Sequence, residues 1–279
     1  MPRPTRAAEA APSSRNKPPA PIYHFEVGQV LAFEVSVICT SGGISERHHG
    51  YAVAEVLSVS SAGEAEMDWL GRLTLYRRGE SESTWQRLEG GDLWCGPKLK
   101  LDAKAQRQLL VQHTNKLGLP TSLGVLRSLT QLVFVELPHT MDLPMHSSGD
   151  ISLIMRKPRM PGQPLLPNIG FGLDPTIKGY KLDESKVEPI AATLTWVHRV
   201  VKVKAREGPP QSWTYQSRSQ FNPERGLVQD TSGTYVFDQG GSKVTTKISV
   251  KLLEGEARDR ASATVREWRK AMPRELTPK

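Results

Sequence analysis

The 279 residues suffice for one large β domain or two smaller ones, and 38% hydrophobic with 24% charged residues is the make-up of a chain that buries a core, not of a disordered one. The formal charge of +8 sits mainly at the two ends: residues 1–20 and 251–279 each carry a net +3, while residues 21–250 hold 25 basic against 23 acidic side chains, which weighs against a phosphate-gripping groove on the folded part. No apolar run approaches the ~20 residues of a membrane helix, the first twenty residues lack the apolar stretch of a secretory signal, and two cysteines, Cys39 and Cys95, allow at most one disulfide and no C-x-x-C zinc framework.

Residues 1–21, rich in Ala, Pro, Ser and basic side chains without periodicity, read as a disordered leader. From Val30 to Cys39 the odd positions are Leu31, Phe33, Val35, Val37 and Cys39 and the even ones include Glu34 and Ser36, the period of two of a half-buried strand. Ser41-Gly42-Gly43 breaks it, and Glu46-Arg47-His48-His49-Gly50 reads as a Gly-rich, solvated loop before an extended run from Tyr51 to Val59. Ser60 to Gly63 has hairpin-turn chemistry, and Ala65, Met67 and Trp69 alternate after it with Glu64, Glu66 and Asp68. A further strand is expected from Arg72 to Tyr76 and a hairpin over Trp85–Trp94, turning at Gly90-Gly91-Asp92. Leu101 to Leu117 carries a helical period stopped by Gly118 and Pro120. Strands are expected again over 132–137 and 150–155, followed by a proline-rich crossover, 157–190, without regular structure.

The second half repeats this grammar. Thr193–Lys204, Trp213–Phe221, Gly226–Phe237 and Ser242–Leu253 are successive extended runs, the last two flanking the turn Asp238-Gln239-Gly240-Gly241. In the final run Val244, Thr246, Ile248, Val250 and Leu252 alternate with Thr245, Lys247, Ser249 and Lys251, which predicts one buried and one wet face. Residues 255–273 read as a terminal amphipathic helix with Ala261, Val265 and Trp268 on one stripe, and 274–279 as a tail. The expected fold is mainly β: a curved antiparallel sheet, or a β-sandwich or half-barrel, in two similar halves (22–156 and 191–254) forming one structural unit, with a few peripheral helices.

No cofactor fingerprint survives inspection. Gly170-Phe171-Gly172 lacks a third glycine and runs into Pro175, and Pro97 removes a backbone donor from the phosphate-loop-like Gly91–Lys98. Glu46, His48 and His49 are the candidate metal ligands, but adjacent histidines of an extended chain point to opposite faces, so no metal is assigned. No catalytic residue is assigned either; a hydrolase would need His48 or His198 brought to a cysteine or carboxylate. Of the aromatic side chains, Trp69, Trp94, Trp196 and Trp213, with Met155, could line an apolar cavity between curved sheets, against the alternative of core packing.

The segment Tyr23-His24-Phe25-Glu26-Val27-Gly28-Gln29-Val30-Leu31-Ala32-Phe33-Glu34-Val35, Leu119–Leu126 through Glu136-Leu137-Pro138, and Gly233–Asp238 resemble phrases of mostly uncharacterised β-rich exported proteins and lipoproteins of planctomycete-type bacteria. The resemblance implies an extracytoplasmic β domain without a known catalytic residue set, so the expected function is a non-catalytic binding or scaffold protein for an apolar, lipid-like ligand or a protein partner. The alternative is a cytoplasmic module that uses its basic ends to hold an acidic partner or nucleic acid.

Overall fold

The computed structural model describes residues 21–89, 93–95, 98–105, 108–111, 133–135, 137, 185–191, 194–204, 211–239 and 242–270. Among these, twelve strands form one antiparallel sheet: β1 (Val30–Ser41), β2 (Ile44–Val59), β3 (Ala65–Gly79), β4 (Gln86–Arg87), β5 (Leu93–Cys95), β6 (Lys98–Leu101), β7 (Gln108–Val111), β8 (Ser185–Ala191), β9 (Leu194–Lys204), β10 (Gln211–Asn222), β11 (Leu227–Gln239) and β12 (Ser242–Leu253). The order is β7-β6-β3-β2-β1-β12-β11-β10-β9-β8, with β4 and β5 also on β3. The expected mainly-β antiparallel architecture is the one seen, and it is one continuous open sheet, not two packed ones. The halves meet where β1 pairs with β12, from Ala32↔Leu253 to Thr40↔Thr245.

The β1–β2 hairpin turns on two residues, with Ser41 paired to Ile44 and positive φ at both Gly42 (55°) and Gly43 (78°). Mirror-image turns of this kind match the right-handed twist of the strands, and this one demands residues tolerant of positive φ at both central positions. β2 therefore starts at Ile44, and the expected loop over 46–50 is strand instead, its residues paired to both neighbours. Gly50 is fitted to this ladder: a Cβ there would lie 2.0 Å from the Arg72 carbonyl oxygen.

Other expectations are corrected in the same direction, towards more sheet. Arg72–Tyr76 is the middle of an unbroken β3. The expected Trp85–Trp94 hairpin is absent from the described pairings; β4, β5 and β6 lie end to end along β3, opposite Tyr76–Arg77, Gly71–Leu73 and Ala65–Asp68. The helix expected from Leu101 is replaced, where described, by a turn at 102–105 and β7 on β6, because Leu99 and Leu101 are claimed by the buried face of the sheet. Val133, Phe134, Val135 and Leu137 are not strand, and β8 takes the last residues of the expected crossover, with a register break at Pro189. Residues 112–132, 138–184 and the strand expected at 150–155 lie outside the described residues.

The core lies on the face shared by Leu31, Phe33, Val35, Ala52, Ala54, Met67, Trp69, Leu73, Ile248 and Val250. A plug covers it, built from Tyr23 and Phe25 of the entering segment and Val133, Phe134 and Leu137. Backbone bonds tie it down: Tyr23 N–H to Ala103 (2.8 Å), Leu137 N–H to Lys104 (2.8 Å) and His24 N–H to Gly226 (3.0 Å). The Tyr23 hydroxyl donates to the Val135 carbonyl at 2.8 Å, and its burial pushes the phenol pKa well above the ordinary value. Trp69 of β3 and Phe221 of β10 are linked by three ring contacts, Trp69–Phe134 (5.8 Å), Phe134–Tyr23 (6.2 Å) and Tyr23–Phe221 (6.0 Å). Five strand spacings, roughly 24 Å in a flat sheet, separate β3 from β10, so the sheet curls around the plug.

Part of the opposite face of the first half is covered by α1 (Gly255–Lys270), which buries Ala261, Ser262 and Val265. Its Trp268 stacks on Tyr51 (6.2 Å) under the Arg72 guanidinium (5.5 Å), and Arg269 reaches Asp68 at 2.6 Å. This explains how Ala32 and Leu70, on the face away from the plug, are as buried as the core.

Candidate functional site

Register assigns every strand residue to the plug face or the outer face, and polar side chains gather on each. On the plug face a row of paired positions crosses four strands: Thr246 (β12), Cys39 (β1), Glu46 (β2) and Arg77 (β3). Thr246, Cys39 and Glu46 are all within 1% of full burial, and Arg77 leads out to solvent at 38% exposure. The Thr246 hydroxyl donates to the Cys39 sulfur at 3.5 Å, and Arg77 donates to Glu46 Oε1 through Nη2 (2.5 Å) and Nε (3.1 Å). His48, fully buried, stands two residues along β2 from Glu46 and opposite Val37 and Leu75. A second pair, Thr231 Oγ1 to Ser219 Oγ at 3.0 Å, is buried where β11 meets β10.

The structure thus brings Glu46, His48 and Cys39 onto one buried face and sends His49 to the other, where it lies 3.6 Å from Glu34. Burial and the neighbouring Arg47 hold the His49 pKa below the ordinary histidine value, partly opposed by Glu34. Among the described residues no three His, Cys, Asp or Glu side chains converge as metal ligands would. The Glu46 carboxylate and Cys39 thiol are engaged with Arg77 and Thr246, which suits a row that fixes strand register.

Cys39 and Cys95 are held apart by register: Cys39 aligns through Glu46 with Arg77, whereas Cys95 aligns with Gly71, six residues back along β3. That offset alone is roughly 20 Å, far beyond the ~7 Å Cα separation a disulfide tolerates, so the two do not bond within one chain.

Of the expected apolar lining, Trp69 is fully buried in the aromatic hub, its indole N–H without an acceptor among the described residues. Trp94, Trp196 and Trp213 are placed by backbone register alone, opposite Arg72, Gln220 and Phe237, and Met155 lies outside the described residues.

The outer face of the second half is different: Gln216, Arg218, Ser232 and Lys247 are exposed there, around an open depression of about 470 Å³ that also touches Thr234 and Gly233. Thr234 is flanked in register by Gln216 and Lys247, and Ser232 by Arg218 and Ser249. Asp230 lies one row towards α1, opposite Lys251; burial raises its carboxyl pKa and Lys251 opposes the rise. Sequence reasoning placed Lys247 on a wet face but missed Arg218 and the depression, because which strands adjoin is not written in a local period. Arg77 and Glu46 were within reach: the parity of Met67, Trp69, Leu73 and Leu75 continues to Arg77, and that of Ala52 and Ala54 runs back through His48 to Glu46.

No family model matches the chain and no curated protein resembles it. Among solved structures it is similar to a chain described as "Lipid-protein interactions in lipovitellin", at 10% identity and a TM-score of 0.48, over 84% of this chain but 26% of that one.

Proposed function

We propose that the chain is a non-catalytic, extracytoplasmic binding domain: a stiff antiparallel frame whose outer β10–β12 face holds a ligand or protein partner. The observation that carries this reading is the exposed depression ringed by Gln216, Arg218, Ser232, Thr234 and Lys247, polar groups delivered by three adjacent strands of a sheet whose other face is packed. Side chains on paired strands hold their mutual geometry without a loop to order, which keeps the entropic cost of binding low. A ligand that binds only the folded chain raises its Tm as concentration rises. Neutral and acidic oligosaccharides, peptides and lipid monomers are therefore to be titrated against full-length protein in thermal melts. Stabilisation by one class supports the reading; flat melts with all classes reject it.

A second reading, an apolar ligand with one polar end, is favoured by the Trp69 indole N–H, which points a donor into an otherwise apolar hub. It predicts that fatty-acid monomers shift the tryptophan emission of delipidated protein and that Trp69→Phe removes the shift. An unchanged emission on titration counts against it.

A further inference from the structure

The outer face carries more than the depression. Its central rows, followed strand by strand from β10 to β3, read Arg218–Ser232–Ser249–Ser36–His49–Thr74 and Gln216–Thr234–Lys247–Ile38–Arg47–Tyr76, and a third reads Thr214–Val236–Thr245–Thr40–Ser45–Arg78. None of these eighteen positions is a carboxylate. The described acidic side chains of this face stand outside these rows, Asp230, Glu34, Glu55, Asp68 and Glu66 towards α1 and Asp238 opposite Lys243 at the hairpin end. The one carboxylate at this level of β2, Glu46, is turned to the buried face and held by Arg77. The result is a positive, hydroxyl-rich band that runs across the strands.

We infer that this band binds a linear acidic polysaccharide laid across the strands, an assignment that rests on the binding reading above and specifies its ligand. In the two central rows the Arg and Lys side chains occur on every second strand, Arg218 on β10, Lys247 on β12 and Arg47 on β2, and the third row adds Arg78 on β3. Strand spacing puts Lys247 and Arg47 roughly 10 Å apart, and Arg218, one row over, roughly 12 Å beyond Lys247. That ladder of charge suits a uronic-acid polymer, in which every second or third sugar brings its carboxylate against a cation. A nucleic-acid strand presents a phosphate about every 3.4 Å of duplex and is gripped through stacking aromatics, of which the two central rows hold only Tyr76 at one end. Between the cations stand Ser, Thr and Gln side chains, donors and acceptors matched to sugar hydroxyls. Arg47 is already oriented, its Nε donating to Ser36 at 3.3 Å.

The test is affinity electrophoresis and calorimetry of the full chain with polygalacturonate, with dextran as the neutral polymer and a single-stranded oligonucleotide as the rival polyanion. The expected result is binding of polygalacturonate that weakens as salt rises, with no retardation by dextran and weaker binding of the oligonucleotide. The combined variant Arg47→Gln, Arg218→Gln and Lys247→Gln should lose about tenfold or more in affinity and flatten the salt dependence, while melting within a few degrees of the parent. Lys270→Gln, on the exposed side of α1, should change affinity less than about twofold. Equal binding of dextran, tighter binding of the oligonucleotide, an unaltered affinity of the triple variant, or no binding of polygalacturonate each overturns the assignment. In that last case a Tm shift with some other ligand class leaves the broader binding reading standing.

Discussion

The strands β1–β3 and β10–β12 belong to one sheet, yet they are treated differently on their outer side. Over β1–β3 the plug fills one face and α1 covers part of the other, so that even Ala32 and Leu70 lose contact with water. Over β10–β12 the plug-face positions are still buried, down to the Ser219–Thr231 pair, but the outer positions Gln216, Arg218, Ser232 and Lys247 stay exposed. A doubly covered region has its side chains dictated by packing. A singly covered one leaves a face whose composition is open to selection for binding, and there the carboxylates are displaced to the borders.

The comparison breaks most severely at the hub and at the tight ladder. Phe134→Ala removes the ring shared by Tyr23, Phe25, Phe33 and Trp69 and should cost about 4 kcal/mol, read as a shift in the denaturant midpoint. Gly50→Ala, whose methyl group would collide with the Arg72 carbonyl, should cost about 3 kcal/mol and raise amide exchange along β2 and β3. An equivalent loss from Ser232→Ala on the singly covered side would contradict the division drawn above; that variant should stay within about 0.5 kcal/mol of the parent.

Arg77→Met removes the guanidinium from the buried Glu46 carboxylate and should destabilise by about 3 kcal/mol; the double change Glu46→Leu with Arg77→Met should recover most of it, as expected of a row that specifies register more than it stabilises. Trp268→Ala should cost about 2 kcal/mol and release α1 selectively, seen as faster exchange of the Ala261–Lys270 amides with little change in β10–β12.

The smallest effect is a titration. Because the folded state holds the His49 pKa below its unfolded value of about 6.5, the folded protein binds the proton less readily. Stability from this source is fully present above pH about 6.5 and declines as the pH falls through that value towards the lower folded pKa. His49→Gln should flatten Tm against pH in that window without altering it above. Asp230 runs the other way: with its folded pKa raised, stability falls as the pH climbs past the unfolded value of about 3.9, and Asp230→Asn should remove that fall.

Much of the fold could be read locally. The alternation in Leu31–Cys39 and Val244–Leu252 and the terminal helix with Ala261 and Val265 inward all reappear, because a period of two or 3.6 is a property of neighbours in the chain. Even the tight turn at Gly42-Gly43 was visible as a break in pattern. The misreadings came where local signals were ambiguous. His48-His49-Gly50 looks like a loop until the ladders on both sides claim it, and Leu101 onward looks helical until β6 pairs with β3 and β7 with β6. The candidate site was less legible than the fold, since Arg218 and Lys247 are distant in the chain and become neighbours only through the order β10-β11-β12.

What the amino-acid order decided unaided is which side chains of each strand go inward, since burying apolar surface is worth about 25 cal/mol per Å² wherever the strand ends up. What only the tertiary structure decided is which strands lie side by side, and hence that Cys39 and Cys95 stay far apart, that buried Thr246, Cys39 and Glu46 line up in one row with Arg77 at its solvent end, and that three cations from separate strands share a face without a carboxylate between them. Adjacency of that kind depends on pairing across more than 200 residues, as in the 207-residue separation of Thr246 and Cys39, and no local propensity encodes it.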